Sequence, residues 1–385
     1  MKMSLQKNNM HLPADQEESI QIGIAVTDAE KEKIFHLRYE IYIEEMKRQP
    51  NLANHRSKQL FDEIDHWAIL LYAKIGSEYI GTMRVNIGEI DDFPADLSKV
   101  LLMDRFRQFC NSSGHPLVAF SSKLMVSQKY RNSAALHLLS AKGYELYCNH
   151  HVQFNFGGCN FYLLRLYEQI GCRRFGRSFE DPGYGLLHPF ILLVDDLDHL
   201  KAVRSPFVRK ARKRPGLNSV ATDWFLKEFP EAARITNSQL VTEKELWAII
   251  NNHFKDLGSP EHNIPLLQGL SEEESSLFLH RCGVVVQCHP GDRIITRGLI
   301  SEELNILLSG NLLVSSNPLH EKSLVVPGQH FGAIGLSGPI IQGVDIEAAT
   351  PTAIVVIARQ YFRKFSVAHP EIAKVILQNL QIQNS

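Results

Sequence analysis

Apolar positions along the first half of the chain alternate between strand-like and helix-like periods. From Ile20 the run IQIGIAV has the spacing of a strand, and Asp28 then opens a Glu- and Lys-rich helix through KEKIFHLRYEIYIEEM. HWAILLYAKI and EYIGTMRVNIGEI read as two strands joined at Gly76-Ser77. A helix is expected over about 97–111, then the strand LVAFSSKLMV and the helix NSAALHLLSAKGYELYCNH. VQFNFGG is a further short strand. NFYLLRLYEQIG is a helix closed by Gly171, a residue suited to the left-handed turn at a helix end, and HPFILLVDDL is a last strand. Helices and neighbouring strands in this order predict layers of helix on sheet over residues 20–200, preceded by a tail at 1–19.

The texture then changes twice. KAVRSPFVRKARKRPG (201–216) is basic and broken by two prolines, so 201–263 is expected as a basic linker and helical connector. From about 264 short β-rich runs alternate with turns at Gly291, Gly298, Gly310, Gly328, Gly332 and Gly335, the pattern of a small β-roll over 264–385, ending in the helix EIAKVILQNL. The expected fold class is α+β, a mixed central sheet flanked by helices, plus a C-terminal β-roll with its own flanking helices.

Composition narrows the function. A net charge of −1 over 385 residues gives no bulk attraction for nucleic acid or membrane, so a charged partner must meet a local patch. The six cysteines form no CxxC pair, and neither a metal site nor a disulfide framework is expected. The polar start MKMSLQKNNMHLPADQEES has no apolar core for a signal peptide, and no apolar run reaches about 18 residues, so a cytoplasmic location is expected.

Arg38, Tyr42 and Glu45 recur at helical spacing; Asp62 and Asp65 form a D-x-x-D pair before a strand, and Arg84 lies in a strand. Two carboxylates and two guanidiniums could form one charge network, or a solvated helix face beside an unrelated turn. These residues resemble those of the LuxI-type acyl-homoserine-lactone synthases and the related N-acyl amino acid synthases. The likeness implies acyl transfer with Arg38, Asp62, Asp65 and Arg84 in the site and Tyr42, Phe120 and Lys123 toward the substrate. Arg48 stands where those families carry Trp, and AFSSKL replaces their E-x-S-R strand, which removes the lactone-specific residues.

A second resemblance is to the GNAT helix N…Y-x-x-x-G, here Asn160, Tyr167 and Gly171. It implies a direct attack of an amine on a pantetheine thioester, with Tyr167 protonating the departing thiolate. The strand LVAFSSKLMV would present backbone N–H groups near Met125 and Val126 to the thioester carbonyl. Asp62 or Asp65 is the expected base. The GNAT phosphate loop aligns with Lys129, Arg131, Asn132 and Ser133, but its glycines are missing. That favours the 4'-phosphopantetheine thioester of an acyl carrier protein (acyl-ACP) over acyl-CoA as donor, with a small amine such as an amino acid as acceptor. A patch of Arg173, Arg174, Arg177, Arg204, Arg209, Lys210, Arg212, Lys213 and Arg214 would suit an acidic carrier protein, nucleic acid, anionic lipid at a membrane surface, or solvent alone. Two other readings remain: a cyclic-nucleotide-regulated lysine acetyltransferase using acetyl-CoA, and a non-catalytic signalling protein with decayed sites.

IPLLQGLSEEE through LLSGNLLV resembles cyclic-nucleotide-binding domains, with Pro290-Gly291-Asp292, Gly298 and Ser309-Gly310 at the turns. Their phosphate-binding stretch corresponds here to FGAIGLSGPIIQGVDIEA. Ala333 replaces the ribose-binding Glu, and Gln342 stands at the phosphate-binding Arg. Gly332, Ala333, Ile334, Gln342 and Gly343 therefore make a degenerate nucleotide site, and a regulatory or homodimer-forming domain is expected instead. About 15 residues follow Pro370, too few for a helix-turn-helix, so no DNA partner is expected.

Overall fold

A computed structural model describes residues 19–48, 50–315, 323–332, 336 and 340–382. Strand β1 (Gln21–Ile24) leads into α1 (Asp28–Tyr39), whose first turn is closed by a capping box between Thr27 and Glu30. The helix does not stop at Tyr39. It widens into a π-helical turn over Glu40–Glu45, a local insertion that often marks functional sites. A short hairpin follows, β2 (Ala53–Asn54) and β3 (Gln59–Leu60), and then β4 (Ile69–Ile75) and β5 (Glu78–Gly88) joined at Gly76, whose φ is +56°.

The helix expected over 97–111 is two helices, α2 (Ala95–Val100) and α3 (Arg107–Ser113), separated by Leu102 at φ +53°. The break lets Leu101, Met103 and Phe106 all bury completely. Then come β6 (Val118–Val126), α4 (Ala135–Asn149), β7 (Phe154–Cys159), α5 (Leu164–Ile170), β8 (Arg173–Arg174), β9 (Phe179–Asp181) and β10 (Gly185–Leu193). The sheet runs β1-β4-β5-β6-β7-β10-β8, with β9 beside β10; only β6 and β7 pair in parallel. They do so over two residue pairs, Ala119–Asn155 and Phe120–Phe156, and then diverge.

The segment expected as a linker is folded onto this domain. Helices α6 (Leu197–Ala202) and α7 (Val208–Ala211) bury Leu200, Phe207 and Ala211. Helix α8 (Val220–Glu228) places Trp224 and Phe225, with Phe229 after it, in an aromatic cluster around Phe106, Phe154, Phe156 and Phe175. Helices α9 (Glu243–His253), α10 (Pro260–Asn263) and α11 (Glu272–Cys282) carry the chain into the roll.

The roll is built of β11 (Gly283–Cys288), β12 (Arg293–Ile295), β13 (Ile300–Ser301), β14 (Glu303–Ser309), β15 (Leu312–Ser315), β16 (Ser323–Val325), β17 (His330–Phe331), β18 (Ile340–Ile341), β19 (Asp345–Ala348) and β20 (Thr352–Ala358). Two antiparallel sheets, β11-β20-β14-β17 and β12-β19-β15-β16, face each other, and α12 (Arg359–Ala368) and α13 (Pro370–Ile382) close the end. The expected α+β domain and β-roll are both present. No helix among the described residues is long and apolar enough to cross a membrane.

The two domains share a continuous apolar core running from Leu71 and Phe190 to Val284, Ile294 and Val356. Its polar seam is buried. Arg174 donates to Glu168 (2.7 Å), to the Thr236 carbonyl and to the Val285 carbonyl on edge strand β11 (2.9 Å), while Ser238 donates to the other oxygen of Glu168. Arg165 donates to the Gly283 carbonyl and lies over the Tyr361 ring. These contacts cover the strand edge that a lone roll would expose.

Glu303 lies at the same junction, and its burial raises its pKa from 4.5 to about 7. The folded pKa exceeds the unfolded one, so the stability this group contributes when protonated is lost as pH rises through about 7. Glutamine stays neutral throughout. Glu303→Gln should therefore melt about 2–6 °C above the natural protein at pH 8 and alongside it at pH 5. Equal melting temperatures at both values would contradict the buried-carboxyl account.

Candidate active site

The D-x-x-D pair does assemble with the two arginines. Asp62 caps a short 3-10 turn, and its N–H reaches Asp65 at 2.9 Å. Asp65 accepts from Arg38 at 2.8 Å and lies 3.1 Å from Arg84, which also binds Asp62. Arg84 Nε donates to Ser122 at 2.9 Å, tying the cluster to β6. Arg38 is fully buried, and its Nε and Nη2 have no partner among the described residues. Burial alone would raise the Asp65 pKa, but Arg38 and Arg84 outweigh it and hold the carboxyl below its usual range. A carboxylate so held is a poor proton acceptor. The role of base expected for Asp65 therefore does not fit, and its chemistry is that of a scaffold.

A lysine stands beside Asp62. The β5–β6 register shifts between Thr82 and Arg84, and opposite that irregularity Lys123 adopts φ +53°, a left-handed conformation uncommon for lysine. Its Nζ donates to the phenol of Tyr184 at 2.5 Å, lies 4.0 Å from Asp62 and sits 4.1 Å above the Tyr184 ring. Tyr42, carried in by the π-turn, packs edge-on against Tyr184 at 4.8 Å. Burial, then the charge of Arg84, lowers the Lys123 pKa to about 7, against the opposing pull of Asp62. Its neutral amine is thus populated near neutrality. Tyr184 was not expected from the sequence; a single tyrosine in the turn DPGYG carries no pattern.

Beyond Phe120 the strands part beside a narrow pocket, about 370 Å³ of empty volume with its open mouth included. Met83, Leu124, Ile170, Leu192 and Phe207 give it an apolar lining, with Tyr167 also on its wall. Tyr167 stacks on Phe190 at 4.2 Å, and burial keeps its phenol protonated, far above the usual pKa. Gly157 is what allows this stack. A Cβ there would lie 2.3 Å from Phe190 Cζ. Gly157→Ala should push the Phe190–Tyr167 pair aside and cut turnover by about tenfold or more, with a melting shift of only a few degrees. Unchanged turnover would deny the pair a part in the site.

Ser127 N–H bonds the Ile80 carbonyl on β5. By the alternation of an antiparallel ladder, the Val126 N–H points the other way, to the splayed edge. The Met125 carbonyl faces Gly81 on β5, so by the same alternation the Met125 N–H points to the sheet and not to the splayed edge. Two further expectations fail. Phe120 packs into the aromatic cluster rather than toward a substrate. Asn160 donates to the Tyr184 and Leu186 carbonyls and accepts from Arg48, which leaves its amide occupied.

At the start of α4, Lys129, Arg131 and Asn132 are exposed and Ser133 is half-buried. Lys129 meets Tyr130 and Glu78, Arg131 meets Glu45 and the Val126 carbonyl, and Ser133 accepts from Ala135 N–H, with Asn132 open to solvent. Glu45 has thus left the face it was expected to share with Arg38 and Tyr42. The basic patch shrinks, because Arg173, Arg174, Lys210 and Arg214 pair with Asp196, Glu168, Glu145 and Asp195. Arg177, Arg204, Arg209, Arg212 and Lys213 remain exposed. In the roll, Gln342 is buried and Gly343 has open space where a side chain would be, while Gly332 lies against Asn305. Ala333 and Ile334 lie outside the described residues. The six cysteines are free, and no group of three metal-binding side chains occurs among the described residues.

Residues 37–141 match the family described as Acetyltransferase (GNAT) domain. No curated protein matches the chain. Among solved structures, FeeM, an N-acyl amino acid synthase from uncultured soil microbes, is 10% identical over 50% of this chain and 98% of its own, with a TM-score of 0.39. A putative N-acetyltransferase from Lactobacillus plantarum is 14% identical over 46% and 99%, TM-score 0.33. A cyclic nucleotide-binding domain from Methylobacillus flagellatus is 17% identical over 36% and 75%, TM-score 0.29.

Proposed function

With a GNAT acyltransferase domain as the premise, we propose that this chain moves an acyl group from the pantetheine thioester of an acyl carrier protein to a primary amine such as an amino acid. The observation that carries the reading is the splayed β6–β7 edge, with Lys123 on β6 beside it, opening onto an apolar cavity walled by Tyr167. The first carbons of the acyl chain enter that pocket from its open mouth. The thioester carbonyl meets the Val126 N–H. Lys123, neutral, takes a proton from the acceptor's ammonium, and the freed amine attacks the carbonyl carbon. The tetrahedral intermediate then collapses, the C–S bond breaks, Tyr167 gives its proton to the leaving sulfur, and the second proton of the acceptor nitrogen, lost as the amide forms, returns to the Tyr167 oxygen.

The carrier protein is favoured over coenzyme A because no glycine lets the loop before α4 approach a pyrophosphate closely. Lys129 and Arg131 sit at its edge for a single phosphodiester, once Glu78 and Glu45 release them. The roll, locked to α5 through Arg165 and Glu168, serves as a regulatory module on the helix that bears Tyr167.

Mass spectrometry of lipid extracts from cells expressing the protein tests this. A long-chain N-acyl amine that disappears with Tyr167→Phe is the expected result. Acyl-lysine on cellular proteins, with no such lipid, would replace it by protein acetylation.

A further inference from the structure

The two domains enclose a second cleft, separate from the transfer cavity, with about 420 Å³ of empty volume including its open mouth. One wall comes from the roll. Gln342 is 7% exposed, and its Nε2 has no partner among the described residues. Glu303 is 9% exposed and makes no ion pair within 4.0 Å among the described residues; it accepts only the N–H of Glu302, at 3.2 Å. The other wall comes from the transferase domain. There Arg48, 5% exposed, donates to the Tyr184 carbonyl at 3.0 Å and to Asn160 at 3.2 Å. Ile294 and Leu299 give the cleft an apolar floor, and Tyr162 borders it.

An amide donor and a carboxyl are therefore both buried without full partners, and a guanidinium faces them without closing on the carboxyl. Such groups cost folding energy unless something satisfies them. A simple cation would meet Arg48, and a simple anion would meet Glu303. A cyclic phosphate would bring the wrong charge to Glu303. A molecule with an ammonium for Glu303, a carboxylate for Gln342 Nε2 and Arg48, and an apolar group for Ile294 and Leu299 answers all three features. We propose that this interdomain cleft binds a small zwitterion with an apolar side chain, an aliphatic α-amino acid.

The position gives the ligand a route to the chemistry. Arg48 holds the carbonyl of Tyr184, and the phenol of Tyr184 holds Lys123. A carboxylate drawing on Arg48 acts on the residue that orients the proposed base. The proposal stands whatever amine the transfer site acylates.

Calorimetry on the full chain tests it, with L-leucine, leucinol and 4-methylpentanoate as probes. Leucine is expected to bind, and each analogue, lacking one charge, to bind about tenfold more weakly or worse. Glu303→Gln and Gln342→Leu should each weaken leucine by about tenfold, and Lys123→Met should leave it within about twofold. No heat from leucine, isoleucine, valine or methionine at about 10 mM overturns the proposal. So does leucine binding that Lys123→Met abolishes and Glu303→Gln spares, since the amino acid would then sit at the transfer site. Glu303→Gln should melt no lower than the natural protein at pH 8, which separates lost recognition from lost folding.

Discussion

Replacing Lys123 with methionine is expected to lower the rate of thiol release from an acyl-pantetheine donor by about 10²–10⁴-fold, the span typical of a lost general base. The expectation rests on place before charge. Lys123 stands on the irregular stretch of β6, bordered by the rings of Tyr42 and Tyr184, and its Nζ is held by a 2.5 Å hydrogen bond to the Tyr184 phenol. An acceptor arrives as an ammonium, and the group that takes its proton must be neutral when they meet. With its pKa brought to about 7, Lys123 is largely neutral above that pH and protonated below it. The rate should therefore fall on the acid side with a midpoint near 7 and stay level on the alkaline side until another group titrates. Lys123→Arg keeps the charge and loses the base, because a guanidinium does not release its proton in this range. It should be as slow as the methionine variant and should lack the acid limb. A Lys123→Met enzyme within about threefold of the natural rate would sink the assignment.

The D-x-x-D half of the charge cluster was legible in the sequence because it is local, while its arginines lie 27 and 22 residues from their partners. Two carboxylates three residues apart before a strand, with arginines in the flanking helix and strand, leave few ways to satisfy four charges. The roll was legible for a similar reason, since turns at regular spacing need glycine whatever the ligand. What could not be read was the direction in which single residues of β6 face. Strand alternation assigns Phe120, Lys123 and Met125 to faces only while the period of two holds, and the irregularity between Thr82 and Arg84 breaks it. Phe120 accordingly belongs to the aromatic core, Met125 packs against Leu37 and Ile41, and Lys123 reaches the charge cluster. The π-turn at Glu40–Glu45 had the same effect on α1, separating Glu45 from the face of Arg38 and Tyr42. Arg48 showed only as a departure from a family's Trp. Its partners, Asn160 and Tyr184, lie more than 100 residues away along the chain, and no local pattern announces such a contact.

Asp65→Asn is expected to cost about 3–5 kcal/mol of folding stability, the usual penalty for removing one partner of a buried ion pair. Arg38 is completely buried and already has two nitrogens without partners, so its charge depends on Asp65. The amide could accept one hydrogen bond but would bring no negative charge into a space shared by two guanidiniums. Asp62 is better placed for Arg84 than for Arg38, and it cannot make up the loss. The pH dependence follows from the same pair. The Asp65 carboxyl is held below its unfolded pKa, so its contribution is present above the usual carboxylate range and is lost as pH falls through the folded value. The natural protein should lose stability on acidification over that window, and the Asn variant should show a flatter profile there. Urea unfolding of Asp65→Asn, Arg38→Met and the double variant separates the charge from the packing. If the buried guanidinium is the cost, Arg38→Met recovers most of the stability in the Asn background, with a coupling of about 2 kcal/mol or more. Additive losses would mean that Asp65 acts through Arg84 or its capping contact with Asp62, and it would then not be the scaffold for Arg38.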